Sequence, residues 1–241
     1  MTESRGDRKV GRLVRTATKI EPHEQTATLL SFLFVFVLMT AYFILRPVRD
    51  ALSSDWTDDQ MSWLWTSTFF FSVIAVSIYG AVISRVRFRI IVPGVYTFFA
   101  ATFVGFYVLG STLGDNDLVN RAFYVWLSVF SLYHLSVFWT FMSGLYNKEQ
   151  AKRLFSIIAM GASTGAIVGP SIPTFFASSI GTLNLLLIAA MLLLVPIPII
   201  FRLEKLRVSR LGNADVAADL SEEQRLATNP FSGFKTVVSN P

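Results

Sequence analysis

Residues 26–45 read TATLLSFLFVFVLMTAYFIL, from Thr26 to Leu45, twenty residues without one Asp, Glu, Lys or Arg. At a rise of about 1.5 Å per residue, a helix of that length crosses the roughly 30 Å hydrocarbon layer of a bilayer. Five more stretches of the same character follow, at 61–83, 90–110, 122–146, 154–177 and 183–201, and none contains a charged residue. Together they predict an all-α fold, a polytopic membrane bundle of six transmembrane helices. With 53% hydrophobic residues and 22 Phe, a soluble domain of 241 residues would carry more apolar surface than it could bury, whereas lipid accepts that surface.

The net charge of +5 invites a nucleic-acid reading, but the placement of the charges argues for topology instead. Arg5, Arg8, Lys9, Arg12, Arg15 and Lys19 precede the first span. Arg85, Arg87 and Arg89 follow the second, Lys148, Lys152 and Arg153 the fourth, and Arg202, Lys205, Arg207 and Arg210 the sixth. The opposite loops hold Arg46, Arg49 and Arg121 among several Asp. The positive-inside rule then puts both termini and the 2/3 and 4/5 loops in the cytoplasm. The expected location is the cell's inner (cytoplasmic) membrane. Residues 1–25 read as a basic cytoplasmic tail, and 202–241 as a cytoplasmic linker or truncated central loop. The apolar run of the first span is long for a secretory signal and lacks a small-x-small cleavage site, so it reads as a retained helix. With no cysteine and only His23 and His134, no thiolate or histidine metal cluster can be assembled; neither metal nor cofactor is expected.

The fifth span carries Gly161, Gly165 and Gly169 at intervals of four, followed by Pro170. Residues four apart share a helix face, so the glycines form a groove for a neighbouring backbone, and the proline offers a bend. Packing alone explains the pattern; a hinge for alternating access is the second reading, because Gly-xxx-Gly-Pro here resembles the antiporter motif in the fifth helix of major facilitator transporters. The 2/3 loop, Gly80-Ala-Val-Ile-Ser84-Arg85-Val-Arg87-Phe-Arg89, is similar to the cytoplasmic signature of that superfamily, with Ser84 where the acid is expected. By that resemblance Arg85 and Arg89, with Lys152 and Arg153 of the 4/5 loop, are candidates for a cytoplasmic gate; a simple positive-inside anchor is the other reading.

The first span ends in Tyr42-Phe-Ile-Leu-Arg46-Pro-Val-Arg49-Asp50, with two arginines three apart on the side where the orientation rule does not put them. They either snorkel to the interface, with Arg49 and Asp50 paired locally, or face a water-filled cavity and bind an anion, for which a planar guanidinium is suited. In the fourth span Tyr124, Ser128 and Ser131 fall in one sector of the helix and His134 lies just beyond it, a polar stripe near mid-membrane. A neutral His134 bonded to a neighbouring helix explains it as well as ligand contact does.

The ending Leu45-Arg46-x-x-Arg49-Asp50, together with Phe138-Trp139-Thr-Phe141 and Asn147-Lys-Glu-Gln150-Ala-Lys152-Arg153-Leu-Phe155, resembles the ATP/ADP translocase (nucleotide transporter) family of plastids and intracellular bacteria. The resemblance covers the family's N-terminal half. It implies half of a major-facilitator-like fold, a secondary transporter exchanging ATP for ADP or other organic phosphates, and a second six-helix half, either a missing C-terminal half or a homodimer mate. Arg49 stands at the position of a basic residue implicated in nucleotide transport. The expected partners are thus a nucleotide or other anionic solute, the lipid bilayer and that second half, with no nucleic acid. The expected substrate-binding set is Arg46, Arg49, Asp50, Tyr124, Ser131 and His134. No cluster of reactive side chains supports an enzyme. A non-transporting scaffold that docks a cytoplasmic partner through the basic face is the alternative.

Overall fold

The computed structural model describes residues 20–83 and 88–213. Among them all regular structure is helical: α1 Gln25–Leu52, α2 Asp58–Ile83, α3 Phe88–Leu113, α4 Asp117–Leu145, α5 Lys148–Ile180, α6 Thr182–Leu194 and α7 Pro196–Ser209. The last two run on as one span, so six helices are long and apolar enough to cross a membrane. One end of the bundle, the basic end, gathers the start of α1, the end of α2, the start of α3, the α4–α5 turn and the end of α7. The opposite one is the acidic end.

α1 is the central element, packed on α4, α5, α6 and α7. Its closest neighbour is α5, and the glycines decide that contact. A Cβ on Gly161 would lie 2.6 Å from the Phe32 carbonyl oxygen, on Gly165 2.5 Å from that of Phe36, and on Gly169 2.5 Å from Cβ of Phe43. Any side chain there would collide with α1, so the spacing of four serves close helix packing. α5 meanwhile runs unbroken through Pro170 and Pro173. Beside this seam, interlocked aromatic rings fill the space between α1, α3 and α4. Phe34 stands edge-on to Tyr96 and Phe138, and Phe130 edge-on to Phe103. α2 differs from the rest. It leans on α4 and leaves Trp63, Phe69, Phe70, Val73 and Ile74 exposed.

The helices run past the spans read from sequence at most of their ends; α5, for one, begins at Lys148 and not 154, so Lys152 and Arg153 lie on its first turns rather than in the 4/5 loop. Three further differences bear on the architecture. α1 extends past Leu45 to Leu52, so Arg46, Arg49 and Asp50 lie on its final turns and not in a loop. Pro47 leaves one carbonyl without its N–H, yet that loss near a helix end does not stop the chain. The sixth span likewise continues from Phe201 to Ser209, so the linker does not begin at 202. Arg202, Glu204, Lys205 and Arg207 are good helix formers, and Arg207 pairs with Glu204 at 3.4 Å. Val195 keeps helical angles (φ −59°, ψ −39°) ahead of Pro196, which explains why α6 and α7 form a single span. Finally, α5 and α6 are separated by Gly181 alone, whose φ of +86° reverses the chain where an L side chain would be strained. Arg85, and most of the tail and linker (1–19 and 214–241), lie outside the described residues.

Candidate functional site

At the acidic end, the last turns of α1 meet the first turns of α4 and one face of α2. Asn116 caps α4 by accepting hydrogen bonds from the Leu118 and Val119 amides, which fixes where Tyr124 and Ser128 project. Arg49, its side chain only 16% exposed, reaches into this junction. Its Nε and Nη2 donate to Oδ1 of Asp50 at 3.0 and 2.8 Å, its Nη1 donates to Ser128 Oγ at 3.4 Å, and its guanidinium carbon lies 5.1 Å from the centre of the Tyr124 ring. Tyr124 is held in turn: the Trp65 indole donates to its hydroxyl at 3.2 Å, and Trp56 stands edge-on to its ring. Arg46 flanks Asp50 at 3.9 Å.

The arrangement has a definite chemistry. Two guanidinium groups share one carboxylate, leaving a net positive site whose neutralising group, Asp50, is 53% exposed. Ser128 and the Tyr124 face, by contrast, are fixed by helix and ring contacts. An incoming anion with several oxygens can displace Asp50 and accept the parallel N–H bonds of Arg49 while Ser128 and Tyr124 stay in place.

Of the expected residues, Arg46, Arg49, Asp50 and Tyr124 are brought together. Ser131 sits a turn deeper, donating to the Ser128 carbonyl at 2.6 Å. His134 stands apart. It is 4% exposed, stacked on Tyr42 with ring centres 4.5 Å apart, and its Nδ1 bonds the Phe130 carbonyl, while Nε2 has no partner. Ser128, Trp56 and Trp65 were not in the expected set. Ser128 lies on the same helical stripe as Tyr124 and could have been included. The two tryptophans carry no signal beyond their position near the membrane surface.

At the basic end, two of the four expected gate residues, Lys152 and Arg153, are paired with acidic side chains of this bundle. Lys152 pairs with Glu149 on its own helix at 2.9 Å. Arg153 donates through both terminal nitrogens to Glu24, at 2.8 and 3.2 Å, and Glu24 is 1% exposed. The start of α1 is thereby tied to the start of α5. Ser31 and the Tyr146 hydroxyl share a hydrogen bond beside this pair, and burial pushes the Tyr146 phenol up to about 12. The side chain of Arg89 is not among those described.

A bundle of six apolar spans with cationic side chains at the helix ends defines a multi-pass membrane protein. The family model described as Major Facilitator Superfamily matches residues 28–241. The chain belongs to that superfamily of secondary membrane transporters, whose members move small molecules across the lipid bilayer. No curated protein and no solved structure matches it.

Proposed function

We propose that this chain is the N-terminal half of a transporter for a phosphate-bearing anion, a nucleotide such as ATP exchanged for ADP or another organic phosphate. Transport would proceed by alternating access against a second six-helix half. The observation that carries the reading is the state of Arg49: recessed, braced by Ser128 and Tyr124, and neutralised by an exposed carboxylate that a phosphate can replace. The exposed faces of α2 and α5 suit a second half. The basic end would face the cytoplasm, so the Arg49 site would open to the other side of the inner membrane. No hydrolysis is involved; two solute gradients drive the exchange.

The test is exchange of labelled ATP, ADP and phosphate in proteoliposomes holding this chain, or any longer product of its locus, as wild type, Arg49→Ala and Arg49→Lys. Exchange that is lost in the alanine variant and partly kept in the lysine variant, with equal membrane insertion, supports the reading. Equal exchange by all three removes Arg49 from the site. Absence of exchange in the wild type with every phosphate compound overturns the substrate class and leaves the family intact.

A further inference from the structure

Between α2 and α3 there is a gap. Both helices rest on α4, but among the described residues α2 makes almost no contact with α3. The result is an apolar cavity of about 600 Å³, bounded by Ile74 and Ile78 on α2, Gly94 and Phe98 on α3, and Trp126 and Tyr133 on α4. It occupies the half of the bundle where α2 ends and α3 begins. Gly94 lies six residues into α3, about 9 Å along the axis, and Ile78 lies five residues before the end of α2.

Gly94 shows that the cavity is not made for protein packing. A Cβ built on Gly94 meets nothing within 4 Å, in contrast to the α5 glycines, whose space α1 fills. Glycine in a helix interior costs about 1 kcal/mol relative to alanine, and here no neighbouring helix takes up the space it leaves. The lining is apolar throughout: Tyr79 contributes its ring, and its hydroxyl is shut away from the cavity.

The dimensions and depth define the occupant. A helix is about 10 Å across with its side chains, and one inserted here would have to push apart α2 and α3, which residues 84–87 join. A polar solute finds no partner, since the Tyr79 hydroxyl is shut away and the Trp126 indole already donates to Thr102. What fits is narrow, apolar and abundant at this depth. We propose that the gap between α2, α3 and α4 binds one acyl chain of a phospholipid from the leaflet at the basic end. The chain completes the packing of α2. This holds whichever solute is carried.

The test uses the full chain in phosphatidylcholine nanodiscs doped with a phosphatidylcholine that carries a diazirine halfway along one acyl chain. Adducts are mapped by mass spectrometry after illumination. Annular lipid labels exposed positions such as Met191 on α6, whereas Tyr133, 7% exposed at the cavity floor, is reached only by a chain inside the gap. The expected result is an adduct on the Tyr133 peptide that disappears in Gly94→Leu, which fills the space, while Met191 labelling is unchanged. Gly94→Ala, which collides with nothing, reduces the Tyr133 adduct partially and stands in if the leucine variant does not fold. No Tyr133 adduct in the wild type, an undiminished one in both variants, or a protein–protein crosslink at that position overturns the proposal.

Discussion

Replacing Gly165 by alanine tests the central packing contact of the bundle. The new Cβ would lie 2.5 Å from the Phe36 carbonyl oxygen, 2.9 Å from Met39 Cβ and 3.1 Å from the Thr40 amide nitrogen. An ordinary carbon–oxygen contact is about 3.3 Å or more, so α1 and α5 must move apart by roughly 0.8 Å at this level. The obstacle is backbone, and the same carbonyl already accepts from the Thr40 hydroxyl at 2.8 Å, so no rotamer change relieves the clash. Overpacking of this kind costs about 1–3 kcal/mol, against about 1 kcal/mol gained because alanine is the better helix former. Because the clash is with backbone, the upper part of that range applies, about 2–3 kcal/mol, and the net loss of about 1–2 kcal/mol lowers the Tm by roughly 2–8 °C for a chain of this size. Gly94→Ala is the internal control. It gains the propensity and meets nothing, so its Tm stays level or rises. Thermal unfolding in detergent, followed by the fluorescence of the five tryptophans, reads both. A Gly165→Ala protein that unfolds at or above the wild-type temperature, or a Gly94→Ala protein that falls as far, would refute the close-packing account.

Glu24→Gln removes the buried partner of Arg153 and should destabilise the protein by about 1–3 kcal/mol. Adding Arg153→Met should cost little more, and additive losses in that double-mutant cycle would show that the pair is not coupled. Asn213 donates to the Leu145 carbonyl and to Gln150 and accepts from Asn147, so Asn213→Ala should speed proteolysis just after α7; an unchanged cleavage rate would contradict that anchoring. Because burial raises the Tyr146 pKa from 10 to about 12, its contribution is intact below pH 10 and declines as pH rises toward 12. Tyr146→Phe should therefore be less stable at neutral pH yet lose less between pH 10 and 12, and parallel alkaline unfolding curves would rule this out.

The six spans were legible because charge is excluded from the hydrocarbon depth, and that exclusion leaves uninterrupted runs in the chain. Helix ends are governed differently. Once the backbone is helical at the interface, polar residues prolong it, so α1 continues through Arg46–Asp50 and α7 through Arg202–Arg207, where hydropathy alone predicts a stop. Local capping was readable in principle: Asn147-Lys-Glu-Gln150 forms a reciprocal capping box with all its members within four residues. Pairs distant in sequence were not. Nothing near Glu24, which lies in the expected tail, points to Arg153, 129 residues away, and only the α1–α5 seam brings them together. The stripe on α4 gave Tyr124 its place, but one helix cannot show that Trp65 of α2 would hold it. Nor can a 100° wheel tell that His134 turns toward Tyr42 and away from Arg49.

These contacts divide the labour among the helices. α1 is fastened to α5 at one end and along its length: by Arg153 at Glu24, and by three glycines against Phe32, Phe36 and Phe43. α4 carries α2, through the Trp65–Tyr124 hydrogen bond among other contacts. The Arg49 cluster lies on the line between these two pairs, with Arg49 and Asp50 on one side and Ser128 and Tyr124 on the other. The Arg49–Ser128 hydrogen bond, at 3.4 Å, is the longest and weakest in the cluster, while the Arg49–Asp50 bonds within α1 are short. An anion that replaces Asp50 and bonds both Arg49 and Ser128 would therefore change the attachment of α1/α5 to α4/α2 more than any contact inside either pair. Solute binding at this position would thus be coupled by geometry to the acidic end of the α1–α4 seam, where polar contacts replace the aromatic packing, such as Phe34 on Phe138, that fills it deeper.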